Sequence, residues 1–325
     1  MPDIIKINGE KVRPGEDRFI YLNIARLPTY TDITLPVRII RSDKPGPVLL
    51  LSGGLHGDEI NGIEIVRRLL FRDLIRPKRG TVIAVPLMNV YGFIQNVRGV
   101  PDGKDINRSF PGSTQGSLAK LVAHTIMKEI IPLIDYGIDF HTGGGSRTNY
   151  PQIRCTFDEQ INRELAAAFS PPVILHSPFI SKSFRKAVHQ HKKTILVYET
   201  GETLRLDEPG ITEGINGTLR LMKYLDMISN APHATAEPEI FAKSSWIRAA
   251  YAGLFLSKVK IGDNIKKYQV LGYISDPYGS EKYTVKSRLK GKIIGLSMNP
   301  VIHKGDALLH IATQQVTNFL EVKKE

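Results

Sequence analysis

The spacing of apolar residues changes along the chain, and each change predicts a different kind of element. Residues 19–22 and 35–40 are short β-type runs, and Lys44-Pro45-Gly46-Pro47 closes this strand-rich section, residues 1–45, as a turn. Val48-Leu49-Leu50-Leu51 is then wholly apolar, as expected of a strand buried on both faces, and it stops at Gly53-Gly54. From 60 to 71, Ile60, Ile63, Ile65, Val66, Leu69 and Leu70 return at helical spacing. Residues 81–85 read as a second buried strand. The alternation continues with a helix over 118–131 ended by Pro132 and a strand over 136–140. A helix over 161–169, a strand over 194–198 and a helix over 211–228 follow. Alternating elements of this kind predict an α/β layered fold with a largely parallel sheet.

The character changes near Ser229-Asn230-Ala231-Pro232-His233. Beyond it, short strands are separated by glycine turns, and two segments resemble each other. Residues 259–265 carry Gly262-Asp263 and lead to 270–274; residues 301–307 carry Gly305-Asp306 and lead to 308–311. Each Gly-Asp reads as a hairpin turn between two strands. The chain therefore divides into residues 1–232 and an all-β module over 238–325. The module has internal pseudo-symmetry and resembles biotinyl/lipoyl-type barrels. Those carriers present a modifiable lysine in a characteristic turn. Here the turn is Asp276-Pro277-Tyr278-Gly279-Ser280-Glu281-Lys282, which lacks that sequence and argues against a carrier role.

The polar residues at the strand ends carry the chemistry. In open α/β sheets, ligands gather at the carboxyl ends of strands. Gly54-Leu55-His56-Gly57-Asp58-Glu59 follows one buried strand and opens a helix. Alone, His56 and Glu59 suit either a solvated helix start or a cation site. Asp139-Phe140-His141-Thr142-Gly143-Gly144-Gly145 follows another buried strand and supplies a second histidine. His56, Glu59 and His141 make a two-histidine, one-glutamate set, which zinc accepts in catalytic sites with a position left for water. Asp139 is either a partner for the His141 ring or a loop cap. Tyr198-Glu199-Thr200-Gly201 ends a third strand. Glu199 is placed to act as a general base, with Glu202 as a competitor. Asp105-Ile106-Asn107-Arg108 and Arg98 add arginines to the loop between these motifs.

Four motifs now stand in order: His56-Gly57-Asp58-Glu59; Asp105-Ile106-Asn107-Arg108-Ser109-Phe110-Pro111-Gly112; Asp139-Phe140-His141-Thr142; and Tyr198-Glu199-Thr200-Gly201. They resemble the succinylglutamate desuccinylase/aspartoacylase family, a branch of the zinc carboxypeptidase-like hydrolases. The resemblance implies a three-layer α/β/α domain with a mostly parallel mixed sheet, over 1–232, carrying an appended β-barrel module. It implies His56, Glu59 and His141 as ligands of one zinc per chain. By the same resemblance, Glu199 activates the hydrolytic water and delivers its proton to the leaving amine. Asn107 and Arg108 match the pair that holds a substrate carboxylate, and Arg98 resembles the arginine that polarises the scissile carbonyl. Arg147, Asn149 and Arg154 resemble a stretch of a less characterised branch that lines the pocket. The implied activity is hydrolysis of an N-acyl amino acid. A zinc carboxypeptidase and a non-catalytic binding protein remain as alternatives.

Composition narrows the partners. The 325 residues include 44 Lys+Arg against 32 Asp+Glu, a net +12. The basic stretches, such as Arg76-Pro77-Lys78-Arg79 and Lys192-Lys193, are scattered and carry no nucleic-acid motif, so they read as solvated faces. The lone Cys155 excludes an intramolecular disulfide and a cysteine-rich zinc module. No apolar run of signal-peptide type and no stretch of membrane-spanning length is present, so the expectation is a cytoplasmic enzyme with a small-molecule substrate and no membrane or nucleic-acid partner. The added β-module points to a homo-oligomer contact or a narrowed site.

Overall fold

The computed structural model describes residues 4–320, so residues 1–3 and 321–325, at the ends of the two sequence-defined ranges, lie outside the described residues. The strands are β1 (Ile5–Ile7), β2 (Glu10–Val12), β3 (Asp17–Arg26), β4 (Asp32–Arg41), β5 (Val48–Gly53), β6 (Thr81–Val85), β7 (Tyr136–Gly143), β8 (Arg147–Cys155) and β9 (Val173–His176). They continue with β10 (Thr194–Glu202), β11 (Glu239–Arg248), β12 (Gly253–Ser257), β13 (Asn264–Ile265), β14 (Val270–Ser275), β15 (Lys282–Lys286), β16 (Gly291–Ser297), β17 (Val301–Ile302) and β18 (Ala307–Gln315). The helices are α1 (Ile60–Phe71), α2 (Val90–Gln95), α3 (Leu118–Glu129), α4 (Gln160–Phe169), α5 (Phe184–Gln190) and α6 (Glu208–Tyr224).

Twelve of the described strands form one mixed sheet in the order β13-β16-β18-β11-β9-β8-β10-β7-β5-β6-β4-β3. Its centre, β6-β5-β7-β10, is parallel. Outside it both kinds of pairing occur: β4 joins β6, β8 joins β10 and β16 joins β18 antiparallel, whereas β9 runs parallel to both β8 and β11. The sheet is therefore mixed rather than mostly parallel, with one parallel stretch at the centre and a second at β8-β9-β11. The β3–β4 hairpin and the late strands of the chain add antiparallel edges.

Alternate residues of β5 enter different apolar clusters. Val48 and Leu50 pack with Val122 and Ile126 of α3 and Phe184 of α5. Leu49 and Leu51 pack with Ile65 and Leu69 of α1, Phe169 of α4 and Leu221 of α6. That is why β5 reads as a continuous apolar run: both of its faces are covered. Each fully buried aliphatic side chain contributes about 2 kcal/mol. The predicted bounds of α1 and β6 coincide with the observed ones. α6 begins earlier than the periodicity suggests, because Pro209 at its first turn is pre-set for helix, and it ends at Tyr224, ahead of left-handed Asp226. The stretch of residues 147–154, read as pocket-lining sequence, is the strand β8.

The Gly-Asp hairpins predicted in the C-terminal part are a correction. β12 and β17 belong to a four-stranded sheet, β15-β14-β12-β17, whereas β13 and β18 belong to the large sheet. Each Gly-Asp turn carries the chain from one sheet to the other, so its two strands do not pair. The repeat itself is present. Gly262 and Gly305 both have left-handed φ, +85° and +95°, and the carboxylates of Asp263 and Asp306 accept from the amides of Lys260 and His303 at 2.8 and 2.7 Å. Local sequence specified the turn, but pairing choice depends on distant strands. The large sheet is continuous across residue 232, because β11 pairs parallel with β9 and β16 pairs antiparallel with β8.

Candidate metal centre and active site

Three neighbouring parallel strands bring the predicted residues together. β5 and β7 run side by side, with Gly53 opposite Phe140, and β10 lies beyond β7 with Glu199 opposite His141. His56 sits in the turn after β5, and Glu59 occupies the N-cap position of α1, its side chain turned to the histidines rather than to the helix amides. The turn is tight. Gly54 has φ +57°, and a Cβ on Gly57 would lie 1.9 Å from the carbonyl carbon of Gly92, so only glycine fits at residue 57.

The Nδ1 atoms of His56 and His141 lie 2.6 and 2.8 Å from the two oxygens of Glu59. The Nε2 atoms face other carboxylates, Asp105 at 3.2 Å and Asp139 at 2.7 Å. Thr142 donates its amide to Glu59 at 3.0 Å, and Ser52 donates to Asp139 at 2.9 Å. Asp139 is therefore a ring partner of His141. His56, Glu59 and His141 are all buried, and their ligand atoms lie within 4.8 Å of one another.

Electrostatics favour positive charge in this cluster. Burial lowers the pKa of His141, but Asp139 and Glu59 outweigh it and hold the ring well above the usual imidazole range. His56 is raised in the same way, by Glu59 and Asp105 against burial. Burial opposes ionisation of Glu59, yet His56 and His141 hold it well below the usual carboxylate range. The donor set fits a zinc ion. Two imidazole Nδ1 atoms and one carboxylate converge, and each ring is oriented by a carboxylate at its other nitrogen, an arrangement that fixes metal-bound histidines. A dication held there would supply the positive charge that the surrounding carboxylates call for.

A cavity of about 460 Å³ opens beside the cluster. Glu199 lines it, with Oε2 accepting from Asn149 at 2.7 Å and Oε1 3.5 Å from Arg154. The guanidinium of Arg98 bridges Glu59 and Asp105, both at 3.1 Å, beside the imidazoles. Asn107 and Arg108 lie on a short 3-10 turn capped by Asp105. Because Asn107 Oδ1 accepts from the amide of Phe184 at 2.9 Å, its amide nitrogen is the end left for a ligand. Arg147 lies over the ring of Trp246, with its guanidinium carbon 5.4 Å from the centroid. All the predicted site residues thus border one cavity. Glu202, the competitor for the base, does not line it.

Several lining residues escaped sequence reasoning, Arg185 and Trp246 among them. Arg185 of α5 is largely buried and donates to the carbonyls of Arg154, Ser177 and Pro178; burial pushes its pKa down to about 10. Its helical neighbours Phe184, Ala187 and Val188 gave only a packing signal. Trp246 comes from β11, beyond the sequence-defined boundary; being the single tryptophan of the chain was its one distinguishing mark.

A family model, the succinylglutamate desuccinylase/aspartoacylase catalytic domain, matches residues 45–225, more than half of the chain. The chain belongs to the succinylglutamate desuccinylase/aspartoacylase family. Among curated family relatives, it is similar to the N-alpha-acetyl-L-2,4-diaminobutyric acid deacetylase of Halomonas elongata, with 28% identity over 301 residues and 86% of each chain covered. Among solved structures it resembles a succinylglutamate desuccinylase/aspartoacylase from Rhodobacter sphaeroides, with TM-score 0.83, 24% identity and 94% and 97% of the two chains covered. The product-bound ectoine utilization protein EutE (DoeB) from Ruegeria pomeroyi has the same TM-score at 20% identity, covering 97% and 99%. These structural likenesses establish the shared fold, a mixed α/β sheet. Among the described residues, no helix is long and apolar enough to cross a membrane.

Proposed function

We propose that this chain is a zinc-dependent deacylase that hydrolyses the amide bond of an N-acyl amino acid. The observation that carries the reading is the convergence of His56, Glu59 and His141 beside Glu199, at the ends of three adjacent parallel strands. The deacetylase named among the relatives supports the reaction class. The helices packed on alternate residues of β5 support a three-layer α/β/α unit over 1–232, with the β-module over 238–325. The single buried Cys155 suits a reducing, cytoplasmic setting.

Zinc, when bound by His56, Glu59 and His141, supplies Lewis acidity toward water and the scissile carbonyl oxygen. The protein side chains do the rest. Glu199 takes a proton from the attacking water and returns it to the departing amine as the C–N bond breaks. Arg98, beside the metal ligands, adds positive charge where the oxyanion develops. Asn107 and Arg108 hold the substrate carboxylate, with Arg147 and Arg154 further along the cavity.

The test is a hydrolysis screen of zinc-reconstituted protein. Acetyl, succinyl and formyl donors on acidic, neutral and basic amino acids, Nα-acetyl-L-2,4-diaminobutyrate included, are set against short peptides. The reading expects turnover of at least one acyl amino acid, faster than of any peptide. Turnover of peptides alone makes the chain a carboxypeptidase, and turnover of neither makes it a binding protein.

A further inference from the structure

Glu199 is not held by its own strand alone. Its two oxygens meet Asn149 and Arg154, both on β8, and both of these are braced by β16 from the C-terminal part of the chain. Asn149 is buried and sits across from Gly295 of β16 on one side and Gly201 of β10 on the other. A Cβ placed on Gly295 would lie 3.1 Å from Asn149 Oδ1, closer than side chains ordinarily tolerate. Three residues on, the fully buried Gln152 donates to the carbonyl of Ile294 in β16 at 3.1 Å, and its own oxygen lies 3.4 Å from Arg154 Nε. Two lines of contact therefore run from β16 to the two oxygens of one carboxylate.

We infer that Asn149 is a positioning residue for Glu199, and that β16, through Gly295, sets where Asn149 points. The inference rests on the reading of Glu199 as the proton shuttle and gives the C-terminal module a part in that step. The chemistry explains why an amide is used. Its N–H donates to Oε2 and fixes the carboxylate, yet it brings no charge, so Glu199 stays free to take and release a proton. A misplacement of about 1 Å in a reacting group lowers turnover by up to about a hundredfold. A side chain at 295 would press on the Asn149 amide, which must then give by a few tenths of an ångström.

The experiment combines kinetics with crystallography on the full zinc-loaded chain. Asn149→Ala, the isosteric Asn149→Asp, Gly295→Ala and the double variant Asn149→Ala/Gly295→Ala are assayed on the best substrate of the screen above. Zinc content is measured for each. Crystal structures are determined for the wild type and Asn149→Asp. The expected result is a kcat about tenfold to a hundredfold lower for both Asn149 variants, with KM within about twofold and zinc retained. Gly295→Ala lowers kcat several-fold in the wild type and not at all in the Asn149→Ala background, because both act through one contact. Asn149→Asp displaces the Glu199 carboxylate in the crystal. Unchanged kcat in the Asn149 variants, or an unmoved Glu199 carboxylate in Asn149→Asp, overturns the positioning role. A Gly295→Ala defect that persists in the double variant overturns the brace. If no acyl amino acid is turned over, the functional reading has failed, and the two crystal structures still decide whether Asn149 holds Glu199.

Discussion

His56 and His141 at the strand ends and His310 in β18 are all buried, yet their neighbours push them in opposite directions. Glu59, Asp105 and Asp139 surround the first two and raise their pKa against burial. Among the described residues, no carboxylate is a partner of His310. Burial, with Arg154 and Arg147 adding to it, pushes its pKa down to about 3. Its ring stacks on Trp246 at 4.2 Å, almost parallel, and its Nε2 meets Ser244 Oγ at 2.8 Å. Arg147 lies over that same indole. Burial by itself therefore does not decide what a histidine does. Carboxylates outweigh burial and make a buried imidazole pair a candidate cation site; where arginines reinforce burial, the imidazole stays neutral, as backing for an aromatic platform at the cavity wall.

Three substitutions sharpen the contrast. The largest effect is expected at the strand ends. His141→Ala removes a proposed zinc ligand and leaves Glu59 and Asp139 without their shared partner, so the protein should purify without zinc and lose activity roughly a thousandfold or more. Metal analysis and turnover check this together, and a variant that keeps both would erase the distinction between the two sites.

The second effect is on stability. His310 is neutral in the fold but takes a proton in the unfolded chain once the pH drops below about 6.5. The unfolded state then binds more protons, so stability present above about 6.5 is lost as the pH falls toward about 3. By about pH 4.5 the loss is of order 2 kcal/mol. His310→Phe keeps the stack and removes the titration. Thermal unfolding at about pH 7 and about pH 4.5 should therefore show a smaller acid-induced drop in Tm for the variant than for the wild type. Equal drops would place the acid sensitivity elsewhere.

The smallest effect is at the platform. Trp246→Ala takes the ring from beneath Arg147, an interaction worth about 1 kcal/mol, so KM should rise roughly fivefold with kcat little changed. A kcat loss with unchanged KM would assign Trp246 to the chemistry and not to the wall.

What the chain discloses in advance follows the same division. β5, α1, β6 and the strand-end histidines were legible because their signals are local: a doubly buried strand, a helical period, and polar residues just past the last apolar position. The site at β5, β7 and β10 follows from those signals plus the rule that ligands gather at strand ends. The flank was not legible. The pairing of β8 with β16 joins residues about 145 positions apart, and nothing near Gly262-Asp263 or Gly305-Asp306 tells which sheet the next strand enters. Trp246 and Arg185 reach the cavity through those distant pairings and packings, so their roles appear only once the sheet is assembled.

The proposed function places zinc on the buried cluster of His56, Glu59 and His141 and proton transfer on Glu199. Its most direct test is one paired measurement, zinc content and amide turnover of purified wild-type protein and Glu199→Gln. The expected result is about one zinc per chain in both proteins, with turnover in the wild type and a loss of about a hundredfold to ten-thousandfold in the variant. Metal-free protein with full deacylase activity, or a Glu199→Gln variant as active as the wild type, would contradict it.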